Sequence, residues 1–310
     1  MHTVKTVLDE TLRSHFDVLY RPKKLFGKSP ETVRLYGYTF RYFADFLGRE
    51  PTLADLTDES VMALMEWIRA KQLSLRTANK TRDQLCALWS FLARKGLVKT
   101  YPEVPSFPEP ERSPTAWTQS QIRLLWECCA AQGGYVGGIP AGLYWLTLHS
   151  VAWDSLERIG AVKQLLKTDL QMDWTWLHFR AETRKGRRKD FTTRIHASTT
   201  LLLNRLCACQ PEERLIFPWP YHPSYFWIKY RTMRERAGLP TDREHSFHCI
   251  RKTGASFAEA AGADASKLLG HSSRAVTERH YIDVTVAQRP QAMDFLFRPN
   301  DSEPEPPRAA

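Results

Sequence analysis

Residues 248–283 read HCIRKTGASFAEAAGADASKLLGHSSRAVTERHYID, and the chemistry of this stretch decides what the rest of the chain must be. On a helix, positions three apart share a face, so His248 and Arg251 converge on one point. A ring nitrogen beside a planar guanidinium suits a phosphodiester, the first for proton transfer and the second for non-bridging oxygens. Taken alone, the pair also fits a capping histidine and a surface arginine. Leu268-Leu269-Gly270-His271 follows, and then Tyr281, which by itself reads as a core or interface aromatic.

Moving toward the N-terminus, the sequence turns from helical to alternating. Trp174, Trp176 and Phe179 read as a strand, as does Phe191 to Ile195. The basic, glycine-containing hairpin tip Arg184-Lys185-Gly186-Arg187-Arg188-Lys189 lies between them. Helical patterns fill residues 118 to 166, opening on the capping box Thr118-Gln119-Ser120-Gln121. Near their end stands Ser155-Leu156-Glu157-Arg158-Ile159-Gly160-Ala161-Val162, followed by Asp169. An arginine flanked by apolar residues at the head of a buried helix is uncommon, and a salt bridge to Glu157 or Asp154 is the plain alternative. Helices resume after Ser198.

Five prolines between Tyr101 and Pro114 deny both helix and ladder hydrogen bonds, so residues 102–114 read as a semi-rigid linker. Before it, residues 1–101 read as a bundle of about four helices. One carries Leu8, Leu12, Phe16 and Leu19; the next starts at Ser29-Pro30 and carries Val33, Tyr36, Phe40 and Phe43. Thr57 opens a third, and Thr77 to Lys95 forms a fourth that Gly96 stops. Residues 115–298 form the second domain, and 299–310, polar and proline-rich, a disordered tail. The fold class is therefore mainly α with a small antiparallel sheet.

The composition narrows function. Of 310 residues, 43% are hydrophobic and 12% aromatic, enough for real cores. Lys and Arg exceed Asp and Glu by 10, a balance that favours a polyanionic partner, nucleic acid before an anionic membrane. Residues 1–101 hold 17 cations against 11 carboxylates. Lys23, Lys24 and Lys28 precede one helix and Arg76, Lys80 and Arg82 cluster on another. With Arg184, Arg187 and Arg188 these are the candidate phosphate contacts, the alternative being solvated faces. No signal-peptide core and no apolar run long enough to span a bilayer is present in the sequence, which points to the cytoplasm. The six cysteines lack CxxC spacing and read as buried free thiols in place of metal ligands. GxGxxG, Walker, HExxH and GxSxG signatures are missing from the sequence.

In order, then, come Arg158, Lys185, His248-x-x-Arg251, Leu-Gly-His271 and Tyr281. That order resembles the tyrosine recombinase or phage integrase family over nearly the whole chain. The resemblance implies a helical core-binding domain, a linker and a catalytic domain. It implies a site-specific recombinase that cuts and rejoins DNA through a covalent 3′-phosphotyrosine. Tyr281 would be the nucleophile, Arg158 and Arg251 the phosphate forks, Lys185 the acid for the departing 5′ oxygen. His248 would assist proton transfer and His271 would hydrogen-bond the phosphate. Since the phosphotyrosine keeps the energy of the broken ester, no metal, nucleotide or other cofactor is implied. Double-stranded DNA is the implied partner, with a homo-tetramer formed through the apolar segment Val284, Val286, Met293, Phe295, Leu296 and Phe297. The lack of an extra domain before Thr6 favours a simple recombinase over one that bridges distant arm sites.

Two departures stand out. Ala161 occupies a position where the family often has Glu. Tyr281 also lies ten residues after His271 where many members have nine, so the approach to it is expected to differ locally. Both leave room for a non-catalytic DNA-binding protein of the same fold; topoisomerase-like relaxation by the same phosphotyrosine is a third reading.

Overall fold

A computed structural model describes residues 10–186, 189–271 and 273–289. Arg187, Arg188, the apolar residues Met293 to Phe297 and the proline-rich tail lie outside the described residues. The architecture is mainly helical with small antiparallel sheets. The chain divides into two compact units, Met1–Glu111 and Arg112–Ala310.

The first unit is built on the helices Pro30–Leu47, Asp58–Ala70 and Leu75–Arg94. A shorter helical run precedes them, Leu12–His15 and Arg21–Lys24 joined by a π turn over Phe16–Tyr20. Side chains close the N-termini of two of the long helices, Thr57 accepting from Ser60 and Ser74 from Thr77. The fourth helix therefore begins two residues before the expected Thr77. Apolar stripes of period 3.6 meet in one core of Leu12, Phe16, Phe43, Leu64, Ile68, Leu88 and Trp89.

Residues 101–114 contain no regular secondary structure, but they are not free of the first unit. Val104 is buried in its core. Asn79 bonds both the amide and the carbonyl of Phe107, and Trp89 Nε1 donates to the Thr100 carbonyl. Prolines leave these carbonyls without ladder partners, and side chains of the Leu75–Arg94 helix supply the donors.

In the second unit the helix Ala141–Ser155 is buried almost all round and forms the axis of the core. Helices Gln119–Ala130, Ala197–Ala208 and Pro223–Arg236 belong to the same cluster, with Trp117, Tyr144, Phe179, Phe217 and Phe226 at its centre. The Thr118 capping box is present. A three-stranded antiparallel sheet runs Leu170–Gln171, Trp176–Phe179, Phe191–Arg194, with Leu177 opposite Thr193 and Phe179 opposite Phe191. Trp174 lies outside it. Met172, Asp173 and Trp174 all adopt positive φ and form the turn that feeds the central strand. A second, minimal ladder pairs Tyr135–Val136 with Ile139–Pro140 across Gly137-Gly138. The Gly-Gly pair is the sequence signal for that hairpin.

All six cysteines are free. Cys129, Cys207 and Cys249 are buried as expected, but Cys86 and Cys128 are only half-buried, and Cys209 is exposed because it falls at the C-terminal end of Ala197–Ala208. Among the described residues no helix is long and apolar enough to cross a membrane.

Candidate active site

Three chain segments carry the site, and each is shaped by a local cause. The first leaves the axial helix at Leu156, whose left-handed backbone (φ 50°) ends that helix. Leu156 packs directly over Gly254, where a Cβ would stand 2.3 Å from its Cδ2, so any larger residue at 254 in the helix His248–Ala260 would make the Leu156 side chain shift. The turn sends Glu157 inward and makes Arg158 the N-cap of Ile159–Val162. Glu157 is 3% exposed, while Arg158 is half-buried.

The second segment is the helix His248–Ala260. His248 does not cap it; Phe247 holds the N-cap position and no side chain closes it. Nor is Arg251 a surface residue, being 2% exposed. Its Nη1 donates to the Leu156 carbonyl and its Nη2 to the Leu269 carbonyl at 2.9 Å. The same Nη2 lies 3.4 Å from His271 Nε2, and Nη1 lies 3.9 Å from Glu157. Among the described residues its Nε, also buried, has no hydrogen-bond partner.

The third segment comprises His271, after the left-handed Gly270, and the helix Arg274–Tyr281. Because Arg251 donates to Nε2, His271 carries its proton on Nδ1 and donates to Thr277 Oγ1 at 2.9 Å. Thr277, one helical turn before Tyr281, is buried. It is a positioning contact that sequence reading missed, although i and i+4 spacing from Tyr281 was its signal.

Tyr281 is 7% exposed, resting on an apolar floor of Leu156, Ala255, Ala265, Leu269, Ile282 and Ala287. Its hydroxyl lies 3.4 Å from Arg158 Nη2. The His271 ring stands 4.7 Å away centroid to centroid, the His248 ring 5.4 Å, and the Arg251 guanidinium carbon 5.5 Å over the phenol face. The ten-residue spacing from His271 thus does not carry Tyr281 out of the pocket. Five of the six expected catalytic side chains converge. The sixth, Lys185, is exposed at the hairpin tip, close enough for its charge to act on His248.

Burial, then the charges of Arg251 and Arg158, hold both His248 and His271 down at about 4. Both rings are neutral at pH 7, able to accept a proton as well as donate a hydrogen bond. The neighbouring Cys249 thiol is pushed up to about 11 by burial and donates to the Thr115 carbonyl, which leaves it inert. The end of the tyrosine segment is anchored as well. Ser256 Oγ donates to the Tyr281 carbonyl and accepts from the Asp283 amide, and the Asp283 carboxylate accepts from the Ala116 amide at 2.9 Å.

Among the candidate phosphate contacts, Lys23, Lys24, Lys28, Arg76 and Lys80 are exposed. Two others turn inward. Arg82 donates through Nε and Nη2 to the Val104 carbonyl and pairs with Asp83. Arg184 is committed to Glu157, at 2.8 Å from Nε and 2.6 Å from Nη2. Glu157 therefore bridges to the hairpin and not to the Arg158 side chain, of which it meets only the backbone amide, at 3.0 Å. Asp154 accepts from the His196 amide. Asp169 pairs with Arg180 and closes the turn after Leu166.

A helical chain with two arginines, two histidines and a phenol gathered in this way has the fold of the tyrosine recombinases and integrases. No protein-family profile matches it. The chain is 24% identical over 277 residues to tyrosine recombinase XerC of Neisseria meningitidis serogroup C (strain 053442), across 86% of this chain and 89% of the relative. Among solved structures it resembles the Tn1549 transposon integrase in complex with transposon right end DNA. There the TM-score is 0.68 and the identity 11%, over 90% of this chain and 97% of the other. A lambda integrase dimer bound to a COC′ core site aligns with a TM-score of 0.65 and 15% identity, over 90% and 94% of the two chains. The curated relatives and the solved neighbours together support the tyrosine recombinase/integrase family for this chain.

Proposed function

We propose that this chain is a site-specific DNA recombinase that cuts and rejoins strands through a 3′-phosphotyrosine on Tyr281. The observation that carries the reading is the 3.4 Å approach of the Tyr281 hydroxyl to Arg158, inside a ring completed by Arg251, His248 and His271. In the reaction, the phenol oxygen forms a bond to phosphorus as the bond from phosphorus to the 5′ oxygen breaks. His248, neutral at pH 7, takes the phenol proton, and Lys185 gives one to the 5′ oxygen. Negative charge gathers on the non-bridging oxygens. Arg158 meets it from the half-exposed side and Arg251 from within. An anion docked between the arginines offsets the cations that depress His248, so phosphate binding itself makes the ring a better base.

The reverse step needs only a 5′ hydroxyl from a partner strand, because the ester bond is exchanged and not hydrolysed. Residues 1–101 would serve as a core-binding domain and residues 115–298 as the catalytic domain. Together they would hold duplex DNA largely through its phosphates, with exposed Lys23, Lys24, Lys28, Arg76 and Lys80 among the contacts. Strand exchange requires several protomers; lambda integrase has been solved as a tetramer on a Holliday junction. The reading puts the protein in the cytoplasm, with the DNA it acts on.

The test is covalent capture. Randomised duplexes carrying a nick beside the candidate scissile phosphate are incubated with the protein, and denaturant-resistant adducts are sequenced. Recovery of a consensus site with wild type and of nothing with Tyr281→Phe is expected. Equal recovery from both, or no adduct with wild type, overturns the proposal.

A further inference from the structure

Arg184 stands where three separate parts of the site meet. Its Nε and Nη2 hold Glu157, a carboxylate 3% exposed that also accepts the Arg158 amide. Its Nη1 donates to the Lys189 carbonyl at 3.0 Å, joining the two arms of the hairpin below its tip. Its guanidinium covers the Phe191 ring at 4.8 Å and closes on Gly270, where a Cβ would stand 3.2 Å from Nη2. The side chain is 13% exposed, an unusual state for an arginine beside a solvent-facing lysine. Lys185, the next residue, thus leaves the fold from a backbone fixed to the same carboxylate that fixes Arg158.

Resting on the Tyr281 reading above, we propose that Arg184 is a positioning residue: through Glu157 it holds Lys185 over the phosphate that Arg158 binds. A general acid must lie within hydrogen-bond reach of the leaving oxygen. A lysine on an exposed tip has about four freely turning side-chain bonds and loses much of its effective concentration if the backbone moves too. Two short charge-assisted contacts to a buried carboxylate remove the backbone part of that freedom. In this account Glu157 has a single function toward both groups, since one of its oxygens receives Arg184 and the other the Arg158 amide.

The role predicts a chemical signature that a merely structural arginine lacks. Replacing the 5′ bridging oxygen of the captured site by sulfur gives a leaving thiolate that departs without a proton. Arg184→Gln is expected to slow adduct formation on the oxygen substrate by about ten- to hundredfold, within the range for loss of a general acid. On the sulfur substrate it should react at close to the wild-type rate, and that rate also certifies folding and DNA binding. Glu157→Gln keeps an acceptor for the Arg158 amide and should give the same sulfur-rescued defect, while Arg184→Lys restores part of the oxygen rate. Equal slowing on both substrates, or no slowing on either, overturns the assignment of Arg184 while leaving Tyr281 as nucleophile. A wild-type protein that forms no adduct on any duplex removes both proposals.

Discussion

The two arginines proposed to hold phosphate differ in what they do for the folded chain, and that difference is measurable. Arg251 is 2% exposed and donates to the carbonyls of Leu156 and Leu269, with Glu157 3.9 Å away. Arg251→Ala strips two buried carbonyls of a charged donor, and each orphaned acceptor costs about 1–3 kcal/mol. Breaking a buried ionic contact from one side costs about 3–5 kcal/mol. These overlap, so we expect a loss of about 3–5 kcal/mol, a large share of the roughly 5–15 kcal/mol a domain has. Arg158 is half-buried and, among the described residues, its guanidinium bonds only the Tyr281 hydroxyl, so Arg158→Ala should cost no more than about 1 kcal/mol. Urea unfolding followed by tryptophan fluorescence reads this directly, since eight of the ten tryptophans lie beyond residue 112. With a slope of about 2 kcal/mol per molar, Arg251→Ala should lower the midpoint by roughly 2 M and Arg158→Ala by less than about 0.5 M. Equal midpoints, or a larger loss for Arg158→Ala, would refute the inward role assigned to Arg251.

Four further outcomes are expected. Gly142→Ala should destabilise the second unit by about 1–3 kcal/mol or prevent folding, because its Cβ would stand 2.2 Å from the Ala130 carbonyl oxygen, part of a backbone that cannot turn aside; thermal melting measures it. His149, fully buried and bonded to the Trp145 carbonyl, is depressed to about 4 by burial, whereas the unfolded ring titrates near 6.5. The unfolded state therefore binds the proton first as pH falls, and stability is lost from about pH 6.5 toward 4; His149→Phe should remove about 2 kcal/mol of the decline between pH 7 and 5, read from melting curves at both pH values. Arg82→Ala should speed amide exchange in residues 101–109 by freeing the Val104 carbonyl, and leave the salt dependence of DNA binding unchanged. Lys80→Ala, on an exposed site, should instead lower the slope of log affinity against log salt by about 1.

The long helices were legible because each repeats one physical pattern, a polar cap followed by apolar residues at 3.6 spacing, as in Pro30–Leu47 and Asp58–Ala70. The site was legible for a different reason: phosphodiester chemistry needs residue types that are rare together, and their order along the chain survived as a signal. Side-chain direction was not legible. Nothing in the tip Arg184-Lys185-Gly186 distinguishes the arginine that turns inward from the lysine that stays in solvent, because the partner, Glu157, lies 27 residues away. Arg82 escaped for the same reason, its acceptor being a carbonyl in a segment whose prolines suggested only a spacer. Trp174 was misread because alternation of aromatics continues through a turn whose three left-handed residues include no glycine.

The bond from the Ala116 amide to Asp283 has a practical meaning for anyone dividing this chain. Trp117 donates to Thr253, and Arg112 pairs with Glu244, so residues 112–117 are stitched to the region that carries the nucleophile. A shortened protein that starts at the first helix of the second unit, Gln119, would keep every side chain of the reaction centre yet lose the ties that fix the far end of the tyrosine helix. Such a truncation should retain its arginines and histidines and misplace its phenol, so an isolated half of this protein must begin no later than Arg112.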